Sequence, residues 1–357
     1  MKSSDLIQVL ADAIKAGEQI CVKGSPGIGK TDVWKQAASV AGADLLIKHP
    51  AVEEPTDPKG LPAKHADGTH AIWLPYGDMY RAMQQPKGRR LLILLDDLAQ
   101  ASEATLKGYM QLLHGRTLGE FRLPEEVTFG AATNDVRQMS GTNMGLIEPV
   151  KSRFTSIVSF DVSVDDWCAW ALDAGLPAIL VAFMRSPEST LPEGHLLNLF
   201  KPTKELTNSP CPRTWAAVAR LLPAVAAAHR FELFAGAVGA AAAQQFINFI
   251  TIAEKAPSLD SILTNPDSAV IPDAPSLRFL VCTALARKAT PVNFDRILRY
   301  LYRLPQPFRL LSVTDATRFT PGQPPARKTT VDQLIVTEAY QRWSLKEGTA
   351  LTSGSQN

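Results

Sequence analysis

Residues 24–31 read Gly24-Ser25-Pro26-Gly27-Ile28-Gly29-Lys30-Thr31, and the fold turns on how this octet is read. Four residues separate the first glycine from the Gly-Lys-Thr triplet, the spacing of a phosphate-binding loop. Polyphosphate oxygens need several backbone N–H donors converging on one point, and side chains there would block the approach. Gly24, Gly27 and Gly29 leave the backbone free to turn and come close. Lys30 can reach the β- and γ-phosphates as a point charge, and the Thr31 hydroxyl can ligate Mg²⁺. The flanks agree. Residues 19–22 are an apolar run fit for a buried strand, and residues 32–40 have helical composition with no breaker. Strand, glycine loop and helix together place phosphates on a helix N-terminus.

Working outward, further strands are expected at residues 44–48, 91–95, 127–132 and 156–160, with helices between most of them, notably over 103–113. Continuous apolar strands alternating with helices predict an α/β fold, a five-stranded parallel sheet flanked by helices. The third strand, Leu91–Leu95, runs into Asp96 and Asp97. At the carboxyl end of a parallel strand the first aspartate lies beside the phosphate loop. Asp96 can then hold Mg²⁺, and Asp97 can orient or deprotonate a water attacking the γ-phosphate. The fourth strand ends in Asn134, an amide that could sit between the acidic pair and the γ-phosphate.

The rest of the chain narrows the class. With 357 residues, 45% hydrophobic and 20% charged, it can build two or three cores. A net charge of +2 gives no sign of a nucleic-acid coat or membrane-seeking surface. Cys21, Cys168, Cys211 and Cys282 are scattered, so reduced thiols and a cytoplasmic location are expected. The start of the chain lacks a signal-like apolar segment, and residues 233–243 are too short to span a bilayer.

Residues 50–86 form a Pro- and Gly-rich excursion containing Asp67-Gly68, a hairpin signal, and residues 117–123 predict a second hairpin turning near Gly119. His65 and His70 flank the first turn and read as exposed loop histidines without further ligands at metal spacing. From residue 161 the chain reads helical, with Ser163 and Asp166 as a cap. Helices are expected over 164–174, 177–185, 212–222, 225–250, 277–288, 293–302 and 331–343. Ser3 or Ser4 is expected to cap an opening helix, a Pro-rich connection runs over 320–330, and 349–357 reads as a polar, disordered tail.

The order of these motifs resembles the AAA+ ATPases, and within them the MoxR and dynein-related group. The resemblance covers roughly residues 5–222. It rests on Gly24 to Thr31, on Leu91 to Asp97, and on Gln111-Leu112-Leu113 leading to Gly119-Glu120. Ala131-Ala132-Thr133-Asn134, Ser152-Arg153-Phe154 and Pro212-Arg213-Thr214-Trp215 complete it. It implies a nucleotide-binding domain over 1–160, with 50–86 as the helix-2 insert and 117–123 as the pre-sensor hairpin. A helical lid over 161–255 would follow, and beyond it the residues themselves, matching no part of the family's pattern, read as a mostly helical extension over 256–348. It also implies ATP and Mg²⁺ as cofactors, Asn134 as sensor 1, Arg153 as an arginine finger acting on a neighbouring subunit, and Arg213 as sensor 2. One departure stands out: the family usually has Glu where this chain has Asp97, one methylene shorter, so slower or geometrically altered water activation is expected.

The function that follows is a Mg²⁺-dependent ATPase in a hexameric ring that remodels or assembles a partner protein, one with a von Willebrand A domain by resemblance. A DNA-directed AAA+ protein, such as a loader or helicase, is the alternative, but no segment supplies a basic recognition module. A non-ring P-loop NTPase is the other. Thr133-Asn134-Asp135-Val136 lacks the guanine-reading pattern of a GTPase, and a small kinase would not explain the helical second domain.

Overall fold

Apolar residues at helical spacing bury Leu6, Ile7, Leu10, Ala11 and Ile14 along α1 (Ser3–Ala16). This is the first element of the computed structural model, which describes residues 1–134, 146–186, 208–318 and 325–353. Lys2 occupies the cap position, and Ser3 and Ser4 fall in the first turn of the helix. The chain divides into two units, Met1–Ser163 and Val164–Asn357.

In the first unit strand and helix alternate. After α1 come β1 (Ile20–Gly24), α2 (Lys30–Ala41), β2 (Asp44–Lys48), then β3 (Leu61–Lys64), β4 (Ala71–Leu74) and α3 (Gly77–Met83) within the excursion. They are followed by β5 (Leu91–Leu95), α4 (Glu103–Gly115), β6 (Thr117–Leu118), β7 (Phe121–Arg122), β8 (Val127–Asn134), α5 (Glu148–Lys151) and β9 (Ser156–Ser159). Five of the strands form one sheet, β2-β5-β8-β1-β9, with every pairing parallel. The expected parallel α/β sheet is therefore present.

All of β5 is buried, and β8 is buried up to Thr133, as strands covered on both faces must be. Helix α2 packs closely because Gly130 of β8 has no side chain. A β-carbon there would stand 2.7 Å from the Trp34 indole. The ring lies flush enough to donate from Nε1 to Ala131 O at 3.2 Å. Burial of such a ring is worth about 3–5 kcal/mol against truncation to alanine.

Both expected hairpins form. β3 and β4 pair antiparallel with Lys64 opposite Ala71, and β6 and β7 turn at Gly119, whose φ is 57°. Register then sets up the functional edge. β8 lies between β5 and β1, Gly24 pairs with Asn134 and Leu95 with Ala131. The carboxyl ends of β1, β5 and β8 thus meet side by side, where ligands bind in open α/β sheets.

The second unit is helical among its described residues: α6 (Val164–Asp173), α7 (Ala178–Arg185), α8 (Pro212–Leu221), α9 (Arg230–Val238), α10 (Ala240–Ala253) and α11 (Leu259–Thr264). Then follow α12 (Pro275–Lys288), α13 (Phe294–Leu301), α14 (Gln306–Thr317), α15 (Pro325–Ile335) and α16 (Glu338–Ser353). One core gathers Phe183, Trp215, Phe234, Phe246 and Phe249, and a second gathers Phe294, Tyr300, Leu334 and Trp343. Trp215 and Phe246 meet edge to face at 5.9 Å.

Two expected helices are in fact pairs. Gly239, at φ 82° and ψ 153°, leaves helical space and splits 225–250 into α9 and α10. Thr337 splits 331–343: its hydroxyl donates to Leu334 O at 2.7 Å and accepts from Tyr340 N at 3.2 Å, closing one helix and opening the next. Helix α16 continues to Ser353, so 349–353 is helical backbone rather than tail. The last four tail residues and 320–324 of the Pro-rich connection lie outside the described residues. Among the described residues no helix is long and apolar enough to cross a membrane.

Candidate active site

Helix α2 begins at Lys30 because Gly29 takes φ 97°, a left-handed turn that β-substituted residues avoid, and Gly27 does likewise at 76°. The helical ladder opens with Val33 N–H to Gly29 O at 3.0 Å, so the amides preceding it lie outside the ladder. Space around the loop is unequal. A β-carbon on Gly24 would stand 2.8 Å from Phe160 O, so that glycine is pressed against the chain. One on Gly29 would meet nothing within 4 Å, so the turn faces open space. A cradle closed behind and open in front fits a polyphosphate.

Lys30 is 7% exposed, and its Nζ donates to Gly24 O at 3.0 Å, Ser25 O at 2.9 Å and Asn134 Oδ1 at 2.7 Å. The loop therefore curls round its own lysine and fixes the ammonium at the end of β1. The Thr31 hydroxyl donates to Asp96 Oδ2 at 2.8 Å. Asp96 is 8% exposed, its N–H donates to Lys48 O at 2.9 Å, and its Oδ1 accepts from Asp97 N at 3.2 Å. A hydroxyl and a carboxylate in contact are hard oxygen donors of the kind Mg²⁺ takes, with water completing its shell. The residues present fit the ATP and Mg²⁺ expected from the sequence.

Asp97 sits at φ 52° and ψ 35°, left-handed for a residue that is not glycine. Aspartate tolerates this region better than most residues, and such strain gathers at functional positions. Its Oδ1 lies 3.5 Å from Asn134 Nδ2. The amide orientation follows from chemistry, since its oxygen must face the ammonium and its nitrogen the carboxylate.

The structure thus brings Lys30, Thr31, Asp96, Asp97 and Asn134 together. It does not bring Arg153 to them: among the described residues its guanidinium donates to Met110 O at 3.1 Å and to Pro149 O, and the residue stays partly exposed. Arg213 belongs to the other unit, exposed in the first turn of α8, where Cys211 and Thr214 form a capping box.

Sequence reading missed the groups behind the acidic pair. Lys48, at the end of β2, pairs with Glu53 at 2.8 Å, both largely buried, and the Tyr109 hydroxyl donates to the same carboxylate. Burial and then the Glu53 contact push the Tyr109 phenol far above its ordinary value. The signal available was weak: a lysine and a glutamate five residues apart across a turn. The cysteines are excluded as nucleophiles at neutral pH where burial pushes their thiols up to about 12, as it does for Cys21, Cys168 and Cys282.

No protein-family model matches the sequence. Among solved structures, the RuvB Holliday junction branch migration motor of Thermotoga maritima is similar at 13% identity, covering 97% of this chain and 87% of that one, with a TM-score of 0.33. A point variant of the same RuvB gives 13% identity over 74% of each chain and a TM-score of 0.39. NtrX of Brucella abortus, in complex with ATP, gives 15% identity over 50% of this chain and 44% of that one, with a TM-score of 0.35. Superpositions this loose leave strand order and site geometry as the grounds for fold and chemistry.

Proposed function

We propose that this protein is a Mg²⁺-dependent ATPase of the MoxR-like AAA+ type, working as a hexameric ring in the cytoplasm to remodel or assemble a partner protein. The observation that carries the nucleotide part is the Asn134 amide, 2.7 Å from Lys30 Nζ on one side and 3.5 Å from Asp97 Oδ1 on the other. One side chain touches both the cation suited to the γ-phosphate and the carboxylate suited to the attacking water.

Glycine-loop amides and the α2 N-terminus receive the phosphates, and Lys30 exchanges neutral carbonyl acceptors for phosphate oxygens. Thr31 and Asp96 would hold Mg²⁺, whose charge would offset that of the phosphate being transferred. Asp97 orients the water and takes its proton, while Asn134 keeps the carboxylate and the ammonium in register. Arg153, partly exposed and anchored among the described residues through backbone carbonyls, suits the arginine finger of a ring, and Arg213 suits the sensor of the helical unit. By the MoxR resemblance, the partner is a protein with a von Willebrand A domain.

Two variants, alone and mixed, test the reading. Lys30→Ala should lose ATP binding at concentrations that saturate the parent, and Arg153→Ala should bind ATP but turn over about 10²–10³-fold more slowly. Mixed, they should recover part of the lost hydrolysis, because some interfaces then pair an intact loop with an intact arginine. Undiminished binding by Lys30→Ala would end the nucleotide assignment. Full activity of Arg153→Ala would end the ring.

A further inference from the structure

The β3–β4 hairpin carries a cluster that the nucleotide site does not use. Lys64 pairs with Ala71, and His65 N donates to His70 O at 2.9 Å, so the two histidines face each other one step beyond the last strand pair. Their rings stack with centroids 4.4 Å apart and planes 18° from parallel. The turn between them folds Asp67 back over this stack. Gly68, at φ 74°, donates its N–H to His65 O at 2.9 Å. Thr69 then fixes the carboxylate, donating to Asp67 Oδ1 from its backbone N at 2.9 Å and its hydroxyl at 2.8 Å. As a result Asp67 Oδ1 lies 2.9 Å from His65 Nδ1 and 3.6 Å from His70 Nδ1.

We infer that His65, Asp67 and His70 form a binding site for a divalent transition-metal ion of the zinc type at the hairpin tip. Two imidazole nitrogens and one carboxylate oxygen lie within 4.8 Å of one another, and hydrogen bonds hold the imidazoles there: Asp67 N donates to His65 Nδ1 at 3.3 Å and the Thr69 hydroxyl lies 2.9 Å from His70 Nδ1. A divalent ion would replace the hydrogen bonds at the two imidazoles and gather all three donors. Imidazole and carboxylate nitrogens and oxygens bind Zn²⁺ at about 2.0–2.2 Å, which sets neighbouring donors about 3.3–3.6 Å apart in a tetrahedral shell. The two Asp67 separations, 2.9 and 3.6 Å, lie near that range, and closure turns the imidazoles out of their parallel stack, because each ring's lone pair lies in its own plane. The Thr69 bonds supply the outer-shell orientation that metal-binding carboxylates characteristically have. His65 is partly exposed and the other two are exposed, so water completes the coordination and the ion exchanges freely. Lys64 reaches the same turn, its Cε 3.3 Å from where a β-carbon on Gly68 would stand, and its charge limits the affinity.

The ion also separates this site from the nucleotide pocket chemically. Thr31 and Asp96 offer only hard oxygens, which favour Mg²⁺, whereas two imidazoles favour Zn²⁺. The test uses the untagged full chain with Mg²⁺ present and Zn²⁺ alone as the probe. Imidazole proton NMR signals of His65 and His70 should both shift on addition of one equivalent of Zn²⁺, and calorimetry should show one saturable site. His65→Phe/His70→Phe keeps the stacked rings but removes both donors, and should weaken binding at least tenfold, as should Asp67→Ala. Lys64→Gln should tighten it severalfold. The site is refuted if the two imidazoles respond to pH but not to Zn²⁺, or if the double variant binds Zn²⁺ as the parent does.

Discussion

Lys30 and Arg185 are both cations removed from water, the first 7% exposed and the second with a 5% exposed side chain, yet their surroundings differ in kind. Lys30 is gripped by two carbonyls of its own loop and by an amide from a neighbouring strand. Arg185 of α7 is forked onto Asp315 of α14, with NH2 to Oδ1 at 3.1 Å and NH1 to Oδ2, and the Asp315 side chain is 1% exposed. Burial alone would pull the guanidinium down; the Asp315 bond and charge overcome it and hold the group above its ordinary value. Neutral dipoles beside open space can be traded for phosphate oxygens. A sealed bidentate pair has nothing to trade, and it fixes two helices instead.

The largest effect should come from the open site. Asp97→Asn keeps a residue that tolerates left-handed backbone, so it removes charge without disturbing the turn. Turnover should fall about 10²–10⁴-fold with ATP affinity nearly unchanged. Single-turnover hydrolysis beside equilibrium ATP binding checks both halves. Unchanged turnover would move the water-orienting role elsewhere and leave Asn134 without its partner.

The sealed pair should answer differently. Arg185→Ala strands a buried carboxylate and should cost about 3–5 kcal/mol of stability in urea unfolding, with ATP affinity of the surviving fold unchanged. Arg185→Met/Asp315→Leu should recover most of that loss, because desolvating both charges offsets much of their attraction. Arg185 Nε, buried without a partner among the described residues, adds to the cost of keeping the charge there. A single variant losing under about 1 kcal/mol would show that the interior is wetter than the geometry implies.

These two sites were unequally legible in the sequence. The loop, the acidic pair and Asn134 announce themselves because each sits at a strand end, where a run of apolar residues stops at a polar one. Parallel pairing then forces those ends to one edge, so local pattern implies the tertiary contact. Arg185 and Asp315 carry no such signal, since 130 residues separate them and each looks like an ordinary helix-surface charge. The hairpin was readable from Asp67-Gly68, but the approach of Asp67 to both histidines was not, because it depends on the Thr69 bonds that turn the carboxylate back. Gly239 and Thr337 interrupt helical patterns whose apolar spacing continues on both sides, and periodicity alone reads through them.

Thr337 gives the smallest effect and the cleanest reading of that failure. Its hydroxyl serves two helices at once, donating to Leu334 O at the end of α15 and accepting from Tyr340 N at the start of α16. Leu334 and Trp343 lie on opposite sides of this break and enter the same core, 0% and 1% exposed. A continuous helix would carry them round the axis at a fixed angle, whereas the break lets each helix face the core independently. Thr337→Ala removes the cap but none of that apolar surface, so it should cost about 0.5–2 kcal/mol. Thr337→Ser keeps the oxygen and should cost much less. Urea unfolding of the two variants checks this, with hydrogen exchange at the Tyr340 amide as the local readout. If both variants lost the same stability and Tyr340 exchange were unchanged in each, packing of the threonine methyl, and not the cap, would be what ends one helix and begins the next.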